Sequence, residues 1–315
     1  MSAPEPAHPQ TLALLVTGAG GQLGSDVVEV ARPMGQTIFC RGLTRAELDL
    51  TDPFAVKDVV AEWCRVVRKD SPDHRVVVVN AAAHTAVDAA ETDEDAAYAV
   101  NAAAPALLAQ ACGRHGARLL HVSTDYVFPG DRTGGPPYDV DDEPGPKGAY
   151  GRTKLAGELA VRELLPDASW VVRTAWVYGR HGANFVKTMA RLAAERETVS
   201  VVEDQVGSPT WSRDLARGLW ALVREDAPRG TYHCTNRGET SWYGFARAVF
   251  AQLGADPDRV QPTTTDAFPR PAPRPAYSVL STRSWDEAGL PQMPDWQQSL
   301  SEAFRLYGKD FRPPG

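Results

Sequence analysis

Residues 12–17, Leu-Ala-Leu-Leu-Val-Thr, run straight into Gly18-Ala19-Gly20-Gly21-Gln22-Leu23-Gly24 and from there into a helical pattern over 22–31. No other feature narrows the fold as much. A buried strand, a glycine turn and a helix in succession open a βαβ unit that binds an anion. Gly18 permits the tight turn, Gly21 lets a diphosphate approach the backbone, and Gly24 lets the helix lie close to the strand. The amides around Gln22 and Leu23 then face the anion at the helix N-terminus. No Lys-Ser or Lys-Thr follows the glycines, so the turn does not read as a P-loop. The expectation is a dinucleotide at the first strand.

The alternation continues through the first half. A strand at 37–40 ends in Arg41, where a chain selective for NAD usually carries an acid for the ribose 2′-hydroxyl. Arg41 and Arg45 suit a 2′-phosphate instead, the other reading being two solvated arginines. NADPH is therefore favoured, with NADH possible. A helix opens at Pro53, capped by Thr51 or Asp52, and runs to about 69. The buried strand 75–80 leads into Asn80-Ala81-Ala82-Ala83-His84, whose small side chains let a flat cofactor pass over the backbone. A helix at 94–113 and a strand at 118–123 follow. Thr124 then stands at the carboxyl edge of the sheet, where open α/β sheets bind ligands. The loop 129–148, rich in acid, proline and glycine, is expected to cover the site edge.

Next comes Ala149-Tyr150-Gly151-Arg152-Thr153-Lys154, with Tyr150 and Lys154 one helical turn apart on one face. A phenol, with an ordinary pKa of about 10, exchanges protons poorly at neutral pH until a cation stabilises the phenolate. Lys154 can be that cation. An accidental surface pair would look the same in isolation, and the glycine turn and Thr124 upstream give this one its meaning. After a strand at 170–173 the alternation amounts to a doubly wound parallel α/β sheet. Beyond 179 the pattern weakens, and a Pro-rich run at 262–275 precedes a last helix at 295–307. The expected organisation is a dinucleotide-binding domain at 11–179, rejoined by a segment near 212–235, and a smaller substrate-binding domain within 180–315.

Composition sets outer bounds. A chain of 315 residues, 43% hydrophobic and 23% charged, can bury a large core. A net charge of −7 without a basic block argues against nucleic acid as a partner. Apolar runs are strand-sized, so no membrane span is expected. Residues 1–10 show no signal-peptide pattern and read as a disordered extension. Cys40, Cys64, Cys112 and Cys234 form no CxxC and read as buried thiols of a reducing compartment, hence a cytoplasmic protein without a zinc site.

The glycine turn, Asn80-Ala81-Ala82-Ala83-His84-Thr85-Ala86-Val87-Asp88, Ser123-Thr124-Asp125-Tyr126-Val127-Phe128 and Tyr150-Gly151-Arg152-Thr153-Lys154 resemble the extended short-chain dehydrogenases. With Arg173-Thr174-Ala175-Trp176-Val177-Tyr178, Asn184-Phe185-Val186-Lys187, Asp204-Gln205 and Arg274-Pro275, the chain more narrowly resembles the dTDP-4-dehydrorhamnose reductase family, over about 14–307. The resemblance implies a Rossmann-type sheet with a smaller C-terminal domain. It assigns Thr124, Tyr150 and Lys154 to catalysis and Asp49 and Leu50 to the adenine end. It places His84, Trp176 and Gln205 at the sugar, with Val87, Thr124, Asp125 and Asn184 on the same substrate side. Some members hold magnesium between subunits with glutamates. Arg213 stands where one of these would fall, so no metal is expected, and the chain is expected to be a monomer or homodimer.

The implied chemistry is hydride transfer from NADPH to C4 of a dTDP-4-keto-6-deoxy sugar, most simply dTDP-4-dehydro-L-rhamnose. Tyr150 gives the proton, Thr124 hydrogen-bonds the C4 oxygen, and Lys154 lowers the pKa of Tyr150 and positions the cofactor. A nucleotide diphosphate also needs cations, offered by Lys187, Arg274 and Arg283, and an apolar wall, offered by Trp211 and Pro209. Three alternatives stay open. A related 4-keto deoxysugar needs only one altered hydroxyl contact. An epimerase or 4,6-dehydratase shares the sheet, but the dehydratase's Asp-Glu pair is here Asp125-Tyr126. An NADP-binding regulatory subunit would show no turnover.

Overall fold

The computed structural model describes residues 12–32, 38–69, 72–132 and 134–312. The expected extension at 1–10 and Thr37, the expected start of the second strand, lie outside the described residues. Six parallel strands form the central sheet: β1 Leu12–Thr17, β2 Ile38–Leu43, β3 Arg75–Asn80, β4 Arg118–Thr124, β5 Ser169–Thr174 and β6 Gly230–His233. Their order is β6-β5-β4-β3-β1-β2, so the direction of winding reverses between β1 and β3. A reversal opens a crevice at the carboxyl ends of those strands. The architecture is a Rossmann-like, doubly wound α/β sheet.

The strands are apolar because both faces are covered. On one face α1, Gln22–Ala31, and α6, Ser212–Arg224, bury Leu23, Val27, Leu215 and Leu219 against β1 and β3. On the other, α2, Pro53–Arg68, and α3, Ala104–Arg114, bury Val56, Val60, Leu108 and Cys112. Asp52 starts α2 by accepting from the Phe54 and Ala55 amides, with Pro53 in the first turn. The helix α4, Ala149–Leu164, lies on this second face and contributes Val161. A further core joins α5, Phe185–Glu195, α7, Trp242–Leu253, and α8, Trp296–Phe311, through Val186, Met189, Phe245, Phe250 and Leu300. Among the described residues no helix is long and apolar enough to cross a membrane.

Two elements differ from their sequence expectation. The second strand continues to Leu43 rather than stopping at Cys40. Gly42, which reads locally as a strand breaker, sits beneath the glycine turn, where a Cβ would lie 2.8 Å from both Ala19 and Val28. The helix expected at 94–113 is a short α-helix Glu94–Tyr98, a π turn Ala99–Ala103 and then α3, preceded by a separate short helix Val87–Ala90.

Candidate active site

The strand register aligns the ends that carry the chemistry. Thr17 pairs with Asn80, Asn80 with His121, and Thr124 with Thr174, so one edge of the sheet gathers the residues after β1, β3, β4 and β5. Asn80 ties this edge together. Its Oδ1 accepts from Thr17 Oγ1 at 2.8 Å and from the Ala82 amide at 3.2 Å, while its Nδ2 faces His121 Nδ1 at 3.1 Å. Gly18, at φ +72°, closes onto the Ala81–Ala82 backbone, where a Cβ would lie 2.7 Å from the Ala82 nitrogen. The glycine turn and the alanine run therefore form one floor.

That floor fits a dinucleotide diphosphate. α1 begins at Gly21 with no side-chain cap and no acid in its first turn, which leaves amides for an anion. The turn is anchored to β2 by the Ala19 amide on the Leu43 carbonyl at 3.0 Å. Because β2 ends at Leu43, Arg41 lies within the strand, exposed, and the residues at the strand end are Thr44 and Arg45. Thr44 adjoins Gly20 and is fixed by Glu47, which accepts from its amide and hydroxyl at 2.8 and 2.7 Å. Of the two arginines expected at a 2′-phosphate, Arg45 thus follows the strand end and Arg41 lies two residues before it. Asp49 is spent on the Thr51 amide and hydroxyl, and Leu50 is buried beneath.

Tyr150 and Lys154 enter on α4. The first amide of the helix, Ala149, donates to Glu91 Oε1 at 2.7 Å, and Arg152 pairs with Glu94. The Tyr150 ring, half-buried, meets Tyr126 edge-on at 5.5 Å between centroids. Burial, with the charge of Asp125 nearby, pushes its phenol up to about 12. Lys154 is buried and donates to the Val122 carbonyl at 2.7 Å, and burial brings its ammonium down to about 8. Its cation is thus engaged by the end of β4, and in this arrangement burial rather than Lys154 sets the phenol's acidity. Thr124 Oγ1 donates to Asp125 Oδ1 at 2.9 Å, so its one proton is already given.

The match to a known family covers almost the whole chain. The model described as the RmlD substrate binding domain matches residues 12–308. A dTDP-4-dehydrorhamnose reductase of Streptomyces griseus is 50% identical over 308 residues, covering 96% of each chain. The chain belongs to the dTDP-4-dehydrorhamnose reductase family. A dTDP-4-keto-6-deoxy-D-glucose reductase of Streptomyces niveus is 46% identical over 94% of this chain and 98% of its own. The solved dTDP-4-dehydrorhamnose reductase of Bacillus anthracis, in complex with NADP, has a TM-score of 0.85 at 38% identity, covering 93% and 99% of the two chains.

On the substrate side of this family's fold, the expected residues divide. His84 lies at the edge, its amide and carbonyl both held by the Asn101 side chain at 2.8 and 3.1 Å. Val87 opens the short helix beside it, and Asp88 of that helix holds Arg274 at 2.8 Å. Trp176 follows β5 at φ +47°, a strained value for a bulky residue, and stacks on Trp242 at 3.6 Å between centroids. Asn184 caps α5 and donates to the Gly179 carbonyl at 2.7 Å, and Lys187 donates to the Arg180 carbonyl at 2.6 Å. Gln205 is buried and donates to Thr265 at 2.9 Å.

Two expectations are corrected. Trp211 is 1% exposed and belongs to the C-terminal core, and Pro209 is buried with it, so neither forms an open wall for a base. Arg283 is paired with Asp139 at 2.7 Å and Asp141 at 2.9 Å, which uses its charge on the covering loop. Asn101 was passed over by sequence reasoning. It sits in the π turn, buried, and besides holding His84 it reaches Thr153 of α4 at 3.2 Å. A single asparagine in an alanine-rich helix was the available signal.

One cluster among the described residues could be considered for the magnesium that the resemblance raises. Asp26, Glu29 and His181 bring ligand atoms within 4.8 Å of one another. Glu29, however, is bonded by Arg180 and lies 3.6 Å from Arg213, while Asp26 accepts from Ser212 and is raised by burial. Guanidinium charge already compensates the carboxylates a hard cation would need, so the residues do not fit the metal.

Proposed function

We propose that the chain reduces the C4 keto group of a dTDP-4-keto-6-deoxy sugar with NADPH, taking dTDP-4-dehydro-L-rhamnose to dTDP-L-rhamnose. The observation that carries this reading is that Lys154 of α4, one turn after Tyr150, donates to Val122 of β4, the strand that ends in Thr124, while α1 begins uncapped at the glycine turn. Bound along Gly18, Gly21 to Leu23, Arg45 and Ala81 to Ala83, NADPH supplies the hydride for C4. Tyr150, kept protonated by its burial, gives a proton to the C4 oxygen. Lys154, on the same helix face, offsets the negative charge left on the phenol. Among the described cysteines none is paired, which suits a reducing compartment, and we place the reaction in the cytoplasm of the cell. A monomer or homodimer is the working assembly.

A second reading changes only the sugar. It is favoured by the relative named as a dTDP-4-keto-6-deoxy-D-glucose reductase. The test is to mix the protein with NADPH and either dTDP-4-dehydro-L-rhamnose or its 4-keto isomers, following reduced-cofactor absorbance and identifying the product by NMR. Stoichiometric NADPH loss with dTDP-L-rhamnose formed supports the first reading. Preference for an isomer selects the second. No loss with any of them rejects a reductase and leaves a binding role.

A further inference from the structure

We infer that Trp242 is a positioning residue for the sugar nucleotide: its indole, together with the bare backbone of Gly207, holds the Trp176 indole at the carboxyl edge of the sheet. The inference rests on the reductase reading above, which puts the sugar at that edge.

Trp176 is joined to the edge by the chain itself. It stands two residues past Thr174, the last residue of β5 and the register partner of Thr124. Its φ of +47° is one that a bulky residue rarely adopts, so it persists only where surrounding contacts impose it. The Trp176 carbonyl accepts from the Thr210 amide at 3.2 Å. Its ring lies parallel to that of Trp242, 3.6 Å between centroids and 6° between planes. A Cβ on Gly207 would come within 2.5 Å of its Cε2 and 2.6 Å of its Nε1, so only glycine leaves room for the ring there.

One short ladder supplies both ring contacts. Val206–Gly207 pairs antiparallel with Thr240–Ser241, and the Trp242 amide donates to the Gln205 carbonyl at 3.3 Å. Ser241 caps α7 by accepting from the Gly244 amide at 3.0 Å, which makes Trp242 the first residue of the helix. Phe185 packs on Trp242 at 4.5 Å and on Phe245 at 5.4 Å between centroids, and Phe245 is fully buried in the C-terminal core. Trp242 is thus fixed from that core, while both it and Trp176 stay only partly buried. A ring held in place before the ligand arrives spares the ligand the cost of ordering it. Trp242 and Gly207 carry no group that titrates or attacks, so what they contribute is position, read in affinity for the sugar nucleotide rather than in proton transfer.

The test is a set of double-mutant cycles in steady-state kinetics with NADPH and the dTDP-4-keto sugar. Trp242→Leu removes the stack. Gly207→Ala pushes the ring aside and leaves Trp242 in place, since the nearest atoms its Cβ would meet belong to Trp176. Each is expected to raise KM for the sugar nucleotide about three- to tenfold, the size of a lost aromatic stack, with kcat and the Kd for NADPH nearly unchanged. Trp242→Phe keeps a ring to stack on and should recover most of the loss. In a Trp176→Ala background neither change should add anything, because the ring they position is gone. Effects that multiply in that background, a wild-type KM in Trp242→Leu and Gly207→Ala, or a Trp242→Phe no better than Trp242→Leu would each overturn the inference. Should circular dichroism show Trp242→Leu unfolded, Gly207→Ala decides alone. A wild type that reduces no 4-keto sugar refutes the reductase reading, and the same cycles are then read in the Kd for dTDP-L-rhamnose by calorimetry. There, non-additive losses keep the positioning role, while additive losses or no binding by wild type overturn it too.

Discussion

Lys154 is a cation held where a cation is costly. It is 2% exposed, with one backbone carbonyl at 2.7 Å, and burial brings its ammonium down to about 8. Below that pH it is charged in both folded and unfolded chains, and the folded state bears the desolvation cost. Between about 8 and the unfolded value of about 10.4 the unfolded chain binds more protons, so wild-type stability rises with pH there. Lys154→Met keeps the length and removes the charge. It is expected to abolish turnover yet raise Tm by several degrees below about pH 8, with the advantage shrinking above it. A variant less stable than wild type at neutral pH would show that Lys154 is a structural anchor. Tyr150→Phe should lower kcat by roughly two to four orders of magnitude, with NADPH binding measured by fluorescence titration largely kept. The pair was legible in the sequence because i, i+4 spacing on a helix is a local property. Trp211 and Arg283 were not, because what disqualifies them is burial by α7 and α8 and an acidic partner on a distant loop.

At the scale of the element, α4 carries the chemistry and needs fixing at both its start and its middle. Gly148 offers no side-chain cap, and Glu91, distant in sequence, accepts from the Ala149 amide in its place. Glu91→Ala is expected to cost about 0.5–2 kcal/mol and, because Tyr150 follows Ala149 directly, to lower kcat more than the affinity for NADPH. Urea denaturation and steady-state kinetics would separate the two effects. Farther along, Glu158 of α4 and Arg173 of β5 form a buried pair, 1% and 2% exposed, with Arg173 Nη2 2.7 Å from Glu158 Oε2. Arg173→Met alone leaves a buried carboxylate unpaired and should cost about 3–5 kcal/mol, whereas Arg173→Met with Glu158→Leu should recover most of it. Equal losses in the single and double variants would mean that packing, including Arg173 over the Phe128 ring, outweighs charge. Sequence periodicity found α4 and β5 as elements. It could not find their pairing, nor that β2 passes through Gly42, since the reason for that glycine is the turn above it.

At the scale of the whole molecule, the cofactor floor is assembled from segments far apart in the chain, and the longer β2 separates the two arginines proposed to read the cofactor. The glycine turn closes on Ala81–Ala82 through Gly18 and on β2 through the Ala19 amide, so the end of β2 is carried to the same edge. Arg45 follows Thr44 at that end, whereas Arg41 lies within the strand beside Leu15 of β1. A 2′-phosphate read by Arg45 would contribute a charge-assisted hydrogen bond of about 1.5–3 kcal/mol, which is roughly ten- to hundredfold in affinity. Arg45→Ala is therefore expected to cut the preference for NADPH over NADH by that factor, while Arg41→Ala leaves it nearly unchanged. Because the floor exists only in the folded chain, the same preference should appear in stability: NADPH at about 100 times its Kd stabilises the native state by about 2.7 kcal/mol. Thermal unfolding with each cofactor would therefore check the assignment without substrate. If Arg41→Ala lost the NADPH-specific Tm shift and Arg45→Ala kept it, the phosphate would lie over the strand rather than at its end.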